Sequence, residues 1–224
     1  DMYEELGGML RYGAPEYRAP KAVVAAEVAR IVDLGIKVET GKKLGEDITV
    51  DGLKAEYDAV YLALGRQKNI ELGVAGQELA MSALDFLHEP EGKVGENVLV
   101  IGGGSVAMDA ACSALRTGAK KVTVVCLESR GEIPANGHDL RLALEEGIEL
   151  VTKTGVEALE NTADGKLAVT LKECVSVFDE NHCFSPKYGE VKANKFVADT
   201  VIAAIGQGAD TLCAGDVAVN ARGL

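Results

Sequence analysis

The chain has 224 residues, of which 47% are hydrophobic, and a formal net charge of −12 at neutral pH. That length buries a sizeable core, as one large domain or two small ones, and the acidic balance argues against nucleic acid or an anionic membrane surface as partner, since both require clustered Lys and Arg. No apolar run approaches the ~20 residues of a membrane-spanning helix, and Asp1-Met2-Tyr3-Glu4-Glu5 lacks the basic and apolar regions of a signal peptide.

Five cysteines, Cys112, Cys126, Cys174, Cys183 and Cys213, are scattered without a C-x-x-C pair. This usage suits a reducing, cytoplasmic location and offers no zinc or iron–sulfur ligand set. His88, His138 and His182 are far apart and have no ligand spacing.

In chain order, the glycine- and proline-containing stretch from Gly7 to Lys21 is expected as a loop. From Lys21 to Leu34 the positions Val24, Val28, Ile31, Val32 and Leu34 share a helical face, with Gly35 as the stop. Strands are expected at Ile36–Thr40 and Tyr57–Gly65. Ser82 caps a short helix through His88. The connection Glu89–Gly95 then marks a domain boundary, because a new strand with its own fingerprint begins directly after it.

Residues 96–128 read as an apolar strand, a glycine turn, a helix (Ser105–Arg116), a second apolar strand and an acid. This is the βαβ unit that binds a dinucleotide. Gly102 makes the tight turn, Gly104 lets backbone approach a pyrophosphate, and Ala107 is the small residue where helix packs on strand. Gly103, Ser105 and Val106 complete the cradle at the helix N-terminus, where free N–H groups and the dipole favour negative charge. Glu128, with Ser129 and Arg130 beyond it, stands where an acid accepts hydrogen bonds from a ribose 2′-hydroxyl and repels a 2′-phosphate. Two charges ~4 Å apart interact by about 4 kcal/mol at an effective dielectric of ~20, with Arg130 able to offset part of it. NAD is therefore expected over NADP.

Downstream, Asp139–Glu146 is expected as a helix stopped by Gly147, and Ile148–Val151 as a third parallel strand. Val156–Glu160, Leu167–Glu173, Val175–Phe178 and Lys192–Val197 are short segments split by turns, as in an antiparallel meander. Asp199–Ile205 is again a continuous apolar strand, closed by Gly206. The expected fold is α/β, Rossmann-like, a parallel sheet with an antiparallel β-meander layer. Val60-Tyr61-Leu62-Ala63-Leu64-Gly65 and Val201-Ile202-Ala203-Ala204-Ile205-Gly206 end alike, which points to two nucleotide sites at the C-terminal ends of strands.

Gly7-Gly8-Met9-Leu10-Arg11-Tyr12-Gly13, Pro15-Glu16-Tyr17-Arg18, Leu62-Ala63-Leu64-Gly65, Gly102 to Ala111, Ser129-Arg130, Ile133-Pro134-Ala135, Ala204-Ile205-Gly206-Gln207 and Ala214-Gly215-Asp216-Val217 occur in one order. Together they resemble the glutamate synthase small (beta) subunit family of FAD/NAD(P)-dependent pyridine nucleotide oxidoreductases. That family is related to the nucleotide-binding domains of dihydropyrimidine dehydrogenase. The resemblance implies a Rossmann-like FAD/NAD(P)-binding fold and hydride passage from NAD(P)H to FAD, with electrons continuing to an iron–sulfur or large catalytic subunit. It places Gly7, Gly8, Leu10 and Arg11 near the flavin, Gly215 and Asp216 at the flavin pyrophosphate and ribityl chain, and Ala204, Ile205, Gly206 and Gln207 beside the nicotinamide, with Leu64 and Gly65 also implied as cofactor-binding. Family members often carry two arginines where Leu127 and Glu128 stand here. They also begin with an FAD-binding G-x-G-x-x-G that this sequence does not contain, and only Gly208–Cys213 separates Gln207 from Ala214.

The implied organisation is a partial FAD-binding domain at 1–95, an NAD(P)-binding domain at 96–206 and a truncated return to the FAD domain at 207–224. Two functions compete. One is the nicotinamide-binding, electron-input part of a flavin-dependent oxidoreductase, in which the cofactors carry the chemistry and no general acid or base is named. The other is an NAD-binding module without turnover as this chain. A thiol–disulfide reductase of the same superfamily would need a redox cysteine pair, and this sequence offers no C-x-x-C.

Overall fold

The computed structural model describes residues 1–218, so positions 219–224 of the expected C-terminal return lie outside the described residues. The chain forms two compact units, one of residues 1–70 with 207–224 and the other of residues 71–206.

In the first unit, Gly8–Tyr12 forms a short helix, α1, inside the stretch expected as a loop, and α2 (Lys21–Val32) follows much as its periodicity indicates. The helix α3 (Val50–Glu56) is capped by Thr49, whose hydroxyl accepts from the Gly52 amide at 3.1 Å. The strand β1 is only Lys68–Asn69. Two expected strands do not form: 36–40 and 57–65 run without ladder pairing, and Tyr61 is 92% exposed. An alternating segment (36–40) or an apolar run (59–64) favours extended backbone, but a strand also requires a neighbour to bond, and the described residues provide none there.

The second unit begins earlier than the 95/96 boundary read from the sequence. A single 3-10 turn (Gln77–Leu79) leads to β2 (Met81–Ser82) and α4 (Ala83–His88), where the Ser82 hydroxyl accepts from the Leu84 amide as expected of a cap. Residues 71–95 belong here because β2 joins the unit's sheet and Phe86 and Leu87 are buried in its core.

The sheet is then built from β3 (Asn97–Ile101), β4 (Lys121–Val125), β5 (Glu149–Val151) and later β10 (Thr200–Ala203), with the helices α5 (Ser105–Arg116) and α6 (Gly137–Glu145) between its strands. The order is β2-β10-β3-β4-β5, all parallel. Continuous apolar runs suit strands covered on both faces. Leu99, Ile101, Val125 and Val201 pack on one side against Val156, Leu159, Val169 and Leu171 of the antiparallel layer. Val98 and Val100 alternate to the other side, and α5 packs on β3 and β4.

That antiparallel layer comprises β6 (Thr154–Asn161), β7 (Leu167–Phe178), β8 (Phe184–Val191) and β9 (Phe196–Ala198). The meander is present with different members. Two expected segments, 167–173 and 175–178, are one long strand. The last runs 196–198 rather than 192–197, and β8 was not anticipated. The chain then returns to the first unit through β11 (Gln207–Gly208), which pairs antiparallel with β1, and a 3-10 turn at Leu212–Ala214.

Candidate nucleotide-binding site

The glycine turn between β3 and α5 requires glycine at two positions and leaves open space at the third. Gly102 has φ +138°, and a Cβ on it would meet the Ala204 carbonyl oxygen at 2.3 Å. Gly103 would place a Cβ 2.8 Å from a Glu128 carboxylate oxygen and 3.2 Å from the Cys126 Cβ. Gly104 meets nothing within 4 Å, so its backbone borders open space at the start of α5. Ala107 is fully buried against the strand, the tight packing expected of the third small position.

The first turn of α5 carries no acidic residue. Its leading N–H groups, at Ser105 and Val106, have no carbonyl one turn back to bond, and the dipole adds positive potential there. Val106 is partly exposed at this end, at 36%.

Ala204, at the end of β10, lies against the turn and donates its amide to the Ile101 carbonyl at 2.8 Å. Ile205 and Gly206 follow directly. Parallel β10 and β3 therefore bring 204–206 alongside 102–104 at the C-terminal edge of the sheet, where ligands collect in open α/β folds.

Leu127 and Glu128, the second and third residues after β4, point opposite ways. Leu127 lies near Gly155 of β6, where a Cβ would meet its Cδ2 at 3.2 Å, whereas Glu128 turns back over Gly103. The Glu128 carbonyl accepts from the Lys153 amide at 2.9 Å, which fixes the backbone behind the carboxylate. The Ser129 hydroxyl donates to Glu132 and holds that carboxyl below its ordinary range, while Arg130 is exposed. Burial, with the Glu128 charge second, pushes the neighbouring Cys126 thiol up to about 12, so it stays protonated and unreactive at neutral pH.

Sequence reasoning missed the hold that the 129–136 loop takes on the turn. The Ala135 amide donates to the Gly103 carbonyl and the Asn136 amide to the Ser105 hydroxyl, each at 3.1 Å. The Asn136 side chain caps α6 by accepting from the His138 amide at 2.9 Å. The sequence carries no distinct signal for it, because both contacts on the turn are donated by main-chain amides.

The remaining residues expected at a nucleotide belong to the first unit. Gly7 (φ +128°), Gly8 (φ +49°), Gly65 (φ +75°) and Gly215 (φ +60°) all take left-handed backbone that favours glycine. Leu10, Leu64 and Asp216 are exposed, and Arg11 forms an ion pair with Glu5. Gln207 sits in β11 and its carbonyl accepts from the Arg66 guanidinium at 3.0 Å. The described residues of this unit contain no parallel strand–turn–helix, so they show no second phosphate cradle like that at 101–107.

Comparison with known proteins decides the family. A model of pyridine nucleotide-disulphide oxidoreductases matches residues 9–224. The chain belongs to that family. Within it, the chain is 36% identical over 97% of its length to the beta subunit of an NADP(+)-dependent formate dehydrogenase from Moorella thermoacetica, covering 32% of that protein. It is 30% identical over 92% of its length to a glutamate synthase [NADPH] small chain from Halomonas elongata, covering 47% of it. It is 34% identical over 65% of its length to the NAD-dependent dihydropyrimidine dehydrogenase subunit PreT of Escherichia coli K12, covering 36%. The chain thus spans a third to a half of these relatives. Among solved structures, Mycobacterium tuberculosis FprA in complex with NADPH superposes with a TM-score of 0.74 at 18% identity, over 92% of this chain and 63% of that one. This oxidoreductase-family chain therefore has the Rossmann-like fold of FAD/NAD(P) oxidoreductases. Among its described residues, no helix is long and apolar enough to cross a membrane, and no three His, Cys, Asp or Glu cluster as a metal site.

Proposed function

We propose that the chain is the nicotinamide-dinucleotide-binding, electron-input part of an FAD-dependent NAD(P)H oxidoreductase resembling the glutamate synthase small subunit. In the whole protein, hydride passes from the nicotinamide to FAD, and electrons continue to an iron–sulfur or large catalytic subunit. Related chains named as subunits of formate dehydrogenase, glutamate synthase and dihydropyrimidine dehydrogenase support a role within an assembly. The residues at 102–107 fit a dinucleotide: the space over Gly104 is open, the helix end is free of acids, and the 204–206 edge lies beside it. The flavin reading rests on family membership, since the first unit's described residues show no such cradle.

The observation that carries the cofactor reading is the Glu128 carboxylate held over Gly103. An acid there accepts from ribose hydroxyls and repels a 2′-phosphate, which favours NAD(H) even though relatives are named for either cofactor. Fluorescence titration should show NADH binding at least tenfold tighter than NADPH, about 1.4 kcal/mol, and Glu128→Arg should reverse the order. Equal affinity, or tighter NADPH, overturns the preference.

A second reading, an NAD-binding module without its own turnover, is favoured by one fact: the cradle and its supporting core lie wholly within residues 71–206. Flavin absorbance of the purified chain separates the two. A yellow protein that bleaches on adding NADH supports electron input, and a colourless protein that still binds NADH supports the module.

A further inference from the structure

We infer that the strap Ile133–Asn136 is a positioning element, which sets two phosphate-facing donors of the glycine turn before any ligand arrives. The inference rests on the dinucleotide reading of the site given above. A trans peptide bond points its C=O and N–H in opposite directions, and the chain has no cis peptides among the described residues. Ala135 holds the Gly103 carbonyl on the strap side, so the Gly104 amide of the same peptide plane is turned the other way. The second bond acts on the side chain next in line. Because the Asn136 amide donates to it, the Ser105 oxygen has a lone pair engaged on the strap side, and its proton is left to donate elsewhere.

The strap is itself well fixed. Ala135 is buried, Pro134 stiffens the turn, and Asn136 is locked as the cap of α6, which packs against α5. A glycine turn is otherwise free to rotate its peptide planes, and ordering it at the moment of binding would cost affinity. Here the strap has already selected one orientation, with the Gly104 amide and Ser105 hydroxyl as paired donors for a pyrophosphate.

Asn136 has φ −55°, which proline can adopt, so Asn136→Pro deletes the donor without forcing that angle. Asn136→Ala loses the same cap but keeps the amide, and it is the proper reference. NADH titration should show Asn136→Pro binding about fivefold more weakly than Asn136→Ala, the worth of one hydrogen bond. In a Ser105→Ala background the two substitutions should bind alike, and Ser105→Thr should restore what Ser105→Ala loses. Hydrogen exchange on the unmodified, ligand-free chain gives a test independent of variant folding: the Ala135 and Asn136 amides should be protected. Equal binding of the Pro and Ala variants, a Pro effect that persists in Ser105→Ala, or rapid exchange at both amides overturns the strap. If the unmodified chain binds neither NADH nor NADPH, the reading of the site fails and the strap falls with it.

Discussion

Residues 71–206 and the unit formed by 1–70 with 207–218 treat their apolar side chains in opposite ways. In the second unit, Phe86, Leu99, Met108, Val169 and Ile202 are essentially inaccessible to solvent, and two sheets close over one core. Among the described residues of the first, Val24, Val50 and Ala214 are the only buried hydrophobics, while Leu10, Val23, Ile31, Leu34, Ile36, Val38, Tyr61 and Leu64 are exposed. The difference shows that the candidate site draws on the part of the chain that carries most of the packed core. The glycine turn sits on strands whose side chains are fully packed, and a rigid cradle needs such support.

The largest effect expected from this contrast is at Phe86. Truncation to Ala in the packed unit should cost about 3–5 kcal/mol, read as a lower denaturant midpoint. A loss under about 1 kcal/mol would mean the second unit is looser than its burial indicates.

An intermediate effect is expected at Asp199, which ties β3 to the β9–β10 turn by accepting from the Asn97 amide at 2.8 Å and pairing with Lys166 at 3.1 Å. The Asn97 amide first, and Lys166 second, hold this carboxyl below its usual range. A carboxyl depressed in the folded state stabilises at pH above its unfolded value, about 3.9, and the contribution fades as pH falls through the folded value. Asp199→Asn should therefore cost about 1 kcal/mol at pH 7, with the gap to the unmodified chain closing below about pH 4. A gap that is constant with pH would assign the loss to geometry rather than charge.

The smallest effect belongs to the first unit. Tyr61→Ser, at a side chain 92% exposed, should change stability by no more than about 0.5 kcal/mol. A much larger loss would show that this side chain is covered in solution.

The same contrast explains what the sequence could and could not reveal. Strands β3, β4 and β10 were legible because burial on both faces leaves an unbroken apolar run, and the glycine turn because its spacing encodes a backbone path. Tyr57–Gly65 contains a comparable apolar run and Ile36–Thr40 an alternating one, yet pairing is a property of neighbours and not of the segment. Strand β8 failed in the reverse sense: Phe184-Ser185-Pro186-Lys187-Tyr188-Gly189 breaks alternation with a proline and a glycine, and only the length of β7 beside it makes it a strand. At the site, Glu128 could be placed from its distance beyond the turn. The hold of Ala135 and Asn136 could not, because it depends on main-chain amides that every residue but proline carries.

Strand β8 also bears on how the chain behaves in a crowded solution. It lies at the end of the β6-β7-β8 path with Phe184, Tyr188 and Val191 exposed, a combination that invites another polypeptide to add on as a further strand. Three features make it a poor template. Pro186 offers no amide proton, Lys187 adds a charge, and the register against β7 slips between Lys172 and Cys174, between Cys174 and Ser176 and again before Phe178, bending the ribbon. Replacing Pro186 with a β-branched residue would remove the first of these, so the irregularity that hid this strand from sequence reading is also a guard against self-association.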